Sequence, residues 1–231
     1  MKVVIVGGVA GGATAAARIR RLNEQAEIVV FERSGYISYA NCGLPYYIGG
    51  VIEDPEDLTL QTPESFFSRF RIHMKVHHEV TAIHPDSKTV SVKNLETGEI
   101  FEESYDKLLL SPGAKPVWPN LPGMNSDKLF TLRTVEDTFR IKEFVDQQRP
   151  KSAVMVGGGF IGLEVAENLR ELGMEVTIVQ RPKQLMNPFD ADMASFIHSE
   201  VRKHGVKLAL GYSVEGFAEK NNGVVVWLKD Q

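Results

Sequence analysis

The sequence predicts an α/β chain of two parallel-sheet units, each completed by a small antiparallel meander. Three observations predict it. One pattern occurs twice: residues 3–33 and 153–181 each run apolar strand, glycine turn, amphipathic helix, polar break and second apolar strand, the form of a βαβ unit. The two glycine turns begin at Gly7 and Gly157, 150 positions apart. The length of 231 residues, at roughly 150 per domain, fits one large domain or two small ones.

Each element follows from local signals. After the first unit come strands expected at 78–83, 88–93 and 100–104, with turn residues at Pro85-Asp86 and Thr97-Gly98. A further apolar strand, 105–110, leads into Ser111-Pro112-Gly113. Residues 113–123 carry Pro116, Pro119 and Pro122, too many for a regular element. Thr134 offers an N-cap to a helix that Arg149-Pro150 closes. The domain boundary is therefore expected between about 114 and 150. After the second unit come strands at 206–210, 213–218 and 224–228, the last two joined across Asn221-Asn222-Gly223. The second copy has no counterpart of the 105–113 strand and turn. By internal comparison the chain is expected to be cut inside its second domain.

Composition narrows the function classes. Twenty-six basic against 30 acidic residues leave a net charge of −4, which argues against nucleic acid as the main partner. One cysteine excludes an internal disulfide framework and a cysteine-based zinc cage, and no metal site is expected at His77, His78 or His84. No uncharged apolar run reaches the ~20 residues that a bilayer needs. The stretch 3–17 resembles a signal peptide, but glycines at 7, 8, 11 and 12 suit a strand-to-helix turn instead. A cytoplasmic chain with a reduced thiol is expected.

The glycine turns point to dinucleotides. In GxGxxG the first glycine makes the turn, the second admits the pyrophosphate and the third lets helix approach strand. Gly157, Gly159 and Gly162 fit strictly, with Phe160 and Ile161 between them. In the first copy Gly7 and Gly12 fit, Val9 stands in the middle, Gly8 and Gly11 are expected to give the phosphate its room, and Ala10 is counted with the cofactor-binding residues. Glu32, 20 residues past Gly12 and followed by Arg33, sits where a carboxylate pairs with the adenosine 2′-hydroxyl. The second copy has Gln180 there, followed by Arg181 and Lys183, which leaves both NADH and NADPH open. Two Rossmann-like dinucleotide-binding units follow.

The single cysteine, Cys42, lies in SGYISYANCGLPYYIGG, with Pro45 suited to the first turn of a following helix. A thiol there is either a small buried hydrophobe or a reactive group; the polar neighbours Ser38 and Asn41, with Gly43 beside the thiol, favour chemistry. Phe66, Phe67 and Phe70 are expected in the core, and Tyr46 and Tyr47 to pack. Arg18 and Arg21, three apart on the first helix, share a face.

The two βαβ units together with SYANCGLPYYIGG, HEV at 78–80, LLLSPGA at 108–114 and TLRTVEDT at 131–138 resemble the flavin-dependent pyridine nucleotide–disulfide oxidoreductases. Within them the sequence is most similar to coenzyme A-disulfide reductases and NADH-dependent persulfide reductases. The resemblance implies an FAD-binding domain at 1–114 that holds the redox cysteine, a connector and helix at 115–149, and an NAD(P)H-binding domain at 150–231, incomplete at its C-terminus. It implies FAD contacts at Val80, Ser111, Gly113 and Arg133. It also implies substrate contacts at Thr14, Arg18, Arg21, Ser38 and Asn41, with Arg71 a weaker addition and coenzyme A a candidate ligand. A second cysteine of a CxxxxC pair would stand at Ile37 or Tyr47, and neither is cysteine. The redox partner of Cys42 must then come from outside: a bound thiol, a persulfide sulfur, or oxygen giving a sulfenic acid. The reading is a reductase of coenzyme A disulfide or small persulfides, a homodimer at full length. The alternatives are an NADH oxidase or peroxidase and a non-catalytic nucleotide-binding fragment.

Overall fold

The structure, a computed structural model, describes residues 1–230. The chain divides into two compact units: Met1–Asn41 with Pro55–Lys115, and Cys42–Asp54 with the chain from Pro116 onward.

The first unit opens with β1 (Lys2–Val6), α1 (Ala10–Leu22), β2 (Glu27–Phe31) and β3 (Ile37–Tyr39); α2 (Leu44–Gly49) belongs to the second unit. It continues with β4 (Thr59–Gln61), α3 (Pro63–Phe70), β5 (His73–Lys75), β6 (His78–His84), β7 (Thr89–Asn94), β8 (Ile100–Ser104) and β9 (Lys107–Leu110). A parallel sheet runs β5-β2-β1-β9, with Val3 opposite both Ile28 and Lys107. After their first residues the inner strands β1 and β2 are continuously apolar, because both faces are covered. Val3, Ile5, Ile28 and Val30 point into one core with Ala13 and Ala16 of α1 and Phe66 of α3. The alternate residues Val4, Val29 and Phe31 enter a second core with Val90 and Val92 of the antiparallel sheet β6-β7-β8. Burying one such valine or isoleucine is worth about 1.5–3 kcal/mol, and here β1 and β2 bury residues on both sides. Of the three phenylalanines expected in the core, Phe66 is buried, Phe70 packs at its margin and Phe67 is exposed. Phe67 follows Phe66 directly, so helical geometry turns it about 100° away from the sheet.

The second unit holds α4 (Val135–Gln148), β10 (Ser152–Val156), α5 (Phe160–Glu171), β11 (Glu175–Gln180), α6 (Ala191–Lys203), β12 (Lys207–Leu210) and the hairpin β13 (Tyr212–Lys220) and β14 (Gly223–Asp230). A parallel sheet runs β10-β11-β12, and β13 pairs antiparallel with β14 across the expected Asn221-Asn222-Gly223 turn. Helix α4 starts at Thr134 with both bonds of a capping box to Asp137, and ends at Arg149 in left-handed backbone.

The division of the chain departs from the sequence expectation at one segment. The boundary falls at Lys115–Pro116, but Cys42–Asp54, expected in the first domain, is part of the second unit. Ile48 of α2 is fully buried in the core formed by Val165, Leu169, Val176 and Ile178. Gly49 lies so close to Asn168 of α5 that a β-carbon there would overlap the amide. The connector 115–149 is likewise not a separate piece, since Val145 joins the same core. Among the described residues no helix is long and apolar enough to cross a membrane.

Candidate functional site

The two glycine turns are built alike. Gly7 (φ 99°) and Gly157 (φ 113°) carry the reversal that a side chain would resist. Their N–H groups donate to Phe31 O at 2.8 Å and Val179 O at 2.9 Å, at the ends of the second strands. A β-carbon on Gly12 would overlap the Gly7 carbonyl, and one on Gly162 the Gly157 carbonyl, so each third glycine lets the helix start against the strand end.

The residue at the end of each second strand reaches back to its own turn. Glu32 accepts the Gly8 N–H at 2.7 Å and the Ser34 N–H at 2.8 Å. Gln180 accepts the Gly158 N–H at 3.0 Å. The room expected beside Gly8 is therefore taken: a β-carbon there would sit 3.0 Å from Glu32 Cβ and 3.1 Å from Ile37 Cγ2. Gly11 faces Ser111, whose Oγ a β-carbon would overlap. Gly159 is open, with no atom near its missing side chain.

Neither α1 nor α5 has a side-chain cap or an acidic residue in its first turn, whereas α3 and α4 have full capping boxes and acidic first turns. The first N–H groups of α1 and α5 are thus left for a ligand, and a bare helix N-terminus beside a glycine turn favours phosphate.

The repeat runs further than the sequence shows. Ser38 and Met186 both have left-handed backbone, at φ 45° and 49°. They donate their N–H groups to Gly8 O at 3.0 Å and Gly158 O at 2.8 Å. The preceding Ile37 and Leu185 are buried against those same glycines. Gly158, Leu185 and Met186 are absent from the sequence-based set. Gly158 was findable as the repeat partner of Gly8, but Met186 lies 148 rather than 150 positions past Ser38, and that slip hides the match.

The other expected residues are distributed as follows. In the first unit Ala10 opens α1, and Gly11, Thr14, Arg18 and Arg21 are all exposed on its one face. Arg20 turns away and donates to Phe70 O at 2.8 Å and Arg71 O at 2.9 Å. Arg71 caps α3 in left-handed backbone, with its side chain exposed. Arg33 pairs with Glu79 at 3.7 Å, and Val80 packs at the edge of the β-meander core. Ser111 donates to Val6 O at 2.8 Å and Gly113 turns at φ 69°. In the second unit Arg133 stands ahead of α4, its N–H held by Asp137 at 2.9 Å. Phe160 and Ile161 are exposed at the start of α5, and Arg181 and Lys183 are exposed beyond β11.

Cys42 is exposed, in a single 3-10 turn (Asn41–Gly43) that leads into the six-residue helix α2. Pro45 occupies the first turn of α2, as expected, and Leu44, Pro45 and Ile48 are buried. Tyr47 packs edge-on to Phe139 at 5.5 Å. The Glu167 carboxylate, with burial and Glu164 behind it, pushes the Tyr46 phenol above its ordinary value, so Tyr46 stays a neutral donor near neutral pH. Among the described residues no three His, Cys, Asp or Glu side chains group in a way that could hold a metal ion.

Residues 1–231 match the pyridine nucleotide-disulphide oxidoreductase family. The chain belongs to that family. It is 44% identical over 213 residues to the coenzyme A disulfide reductase of Staphylococcus haemolyticus, covering 92% of this chain and 48% of that protein. The structure superposes on reduced Bacillus anthracis CoADR-RHD with a TM-score of 0.94 at 51% identity, over 99% of this chain and 41% of that one. It superposes on a NAD-dependent persulfide reductase from A. fulgidus with a TM-score of 0.93 at 33% identity, over 99% of this chain and 42% of that one. The chain thus spans about half the length of the family members it matches.

Proposed function

We propose that this chain is the nucleotide-binding part of a flavoprotein that passes electrons from NAD(P)H through FAD to Cys42, which reduces coenzyme A disulfide or small persulfides. The observation that carries the reading is Cys42 itself. It is the sole cysteine, it is exposed, and it sits in the turn Asn41–Gly43, a few residues past Ser38. The two bare helix N-termini and their glycine turns supply the fit for two dinucleotides.

In this reading the N–H groups that open α1 hold the FAD pyrophosphate and Glu32 accepts from the ribose. Val80, Ser111 and Gly113 of the same unit complete that site. The turn Gly157–Gly162, with Gln180 and Arg181, holds NAD(P)H. Arg18 and Arg21, exposed beside Thr14, meet the phosphates of coenzyme A. The Cys42 thiolate attacks one sulfur of the disulfide. A mixed disulfide forms, and one coenzyme A leaves as its thiolate and takes a proton. A two-electron cleavage of the mixed disulfide then frees the second thiol and restores Cys42. FAD and NAD(P)H, when bound, supply that electron pair.

The test uses the full-length protein and a Cys42→Ser variant. NAD(P)H should still bleach the flavin, while turnover of coenzyme A disulfide and of persulfide falls by orders of magnitude, because a serine hydroxyl is not ionised at neutral pH and cannot exchange with sulfur. Wild-type turnover by the variant would sink the reading. Oxygen as the only productive acceptor would favour the oxidase alternative, and no turnover with any acceptor the non-catalytic one.

A further inference from the structure

The loop after β11 carries Arg181 and Lys183 and lies over a cavity of about 590 Å³ lined in part by Lys183, Asp190 and His198. Met186 holds left-handed backbone, which a residue with a side chain keeps only when its surroundings impose it. Its N–H reaches Gly158 O, and the Leu185 and Met186 side chains are buried. Two further ties come from beyond the loop: the Gly211 N–H donates to Pro182 O at 3.1 Å, and the Leu185 N–H donates to Nε2 of His198 on α6 at 2.9 Å.

The first unit shows what this tie replaces. There the equivalent residue, Ile37, lies in β3 and is held by antiparallel pairing with β4, opposite Gln61. The described part of the second unit has no strand in that place. An imidazole does the work of a strand edge.

We propose that His198 is the positioning residue that seats the 181–190 loop against the second glycine turn, and that it does so only while its Nε2 is unprotonated. The inference rests on the reading that this turn binds NAD(P)H. An N–H donor demands a lone pair on Nε2, and protonation removes it. Burial, and after it the positive charge of Arg202 one turn along α6, hold His198 below the ordinary histidine value. Lys183 and Asp190 are the charged groups that share the cavity with it. The sign follows from the depressed value. The tie and its stabilisation are fully present above the ordinary histidine range and are lost as pH falls through the folded value.

The experiment measures Kd for NADH and NADPH and kcat against pH in the full-length holoenzyme, for wild type, His198→Leu and His198→Gln. Wild-type affinity should weaken about five-fold as pH falls through the His198 transition, the worth of one hydrogen bond, with saturated flavin reduction unchanged. His198→Leu should show the weakened affinity at every pH. His198→Gln, whose amide oxygen can accept the same N–H, should keep the affinity and lose the pH dependence. Hydrogen exchange at Leu185, followed by mass spectrometry without nucleotide, should quicken in His198→Leu alone. Wild-type affinity, pH profile and exchange in His198→Leu would overturn the proposal. A wild-type enzyme that binds neither nucleotide would overturn the reading of the turn instead, and the exchange result would then tell whether the tie exists.

Discussion

Gln180 and Glu32 differ by one group and do the same structural work, each accepting the N–H of the second glycine of its turn. The carboxylate at Glu32 shows that a charge is tolerated there by the fold. Gln180→Glu should therefore preserve stability and change only what the ribose meets. A carboxylate facing a 2′-phosphate costs about 1–3 kcal/mol, so the variant should shift preference from NADPH toward NADH by roughly five- to 150-fold. Flavin reduction measured with each cofactor in the full-length protein gives the ratio, and an unchanged ratio would mean that Arg181 or Lys183 alone reads the ribose. Serial position was a sound guide to these residues because a parallel strand fixes where its last residue emerges. It was a poorer guide at Gly8, whose vacant side is filled by Glu32 and Ile37, contacts made by later strands.

At the scale of elements, α2 shows how a short helix gains its place. Six residues do not hold a helix alone, and this one is fixed by Ile48 in the core and by Gly49 against Asn168. Asn168 is itself buried and donates to Glu164 O at 2.8 Å, so it cannot swing aside freely. Gly49→Ala should destabilise the protein by about 1–3 kcal/mol through overpacking, and adding Asn168→Ala should recover much of that loss. Thermal unfolding of the single and double variants checks it. If Gly49→Ala melts with wild type, α2 is not packed as described. The sequence marked this helix through Pro45, but nothing in it said which core the helix would join. Chain order suggested the first unit, and the buried face of α5 decided for the second.

For the whole molecule, the two parallel sheets differ at one edge. Strand β1 lies between β2 and β9, whereas β10 pairs only with β11 among the described residues. Val154 and Val156 of β10, with Phe160 and Ile161 of α5, are exposed. Val4, the first-unit counterpart of Val154, is fully buried under the antiparallel sheet. An exposed apolar strand with a free edge is a template for pairing with another chain. The 231-residue chain, purified alone, is expected to self-associate through this edge. Val154→Lys should suppress the association, because a lysine at an edge disfavours pairing. Sedimentation velocity of the chain and of the variant tests both, and a monomeric wild-type chain would count against the prediction.

The sequence by itself determined the two βαβ units, their glycine turns, the carboxylate and amide that follow them, the capped helix after Thr134 and the exceptional position of Cys42. All of these rest on local signals: alternation, turn chemistry and fixed offsets from a glycine. Tertiary structure decided which unit takes the helix after Cys42, what fills the space beside Gly8, and how the 181–190 loop is seated. Each of these depends on atoms far apart in the chain, Asn168 against Gly49, Ile37 against Gly8 and His198 against Leu185, and no periodicity records which distant side chain fills a given space.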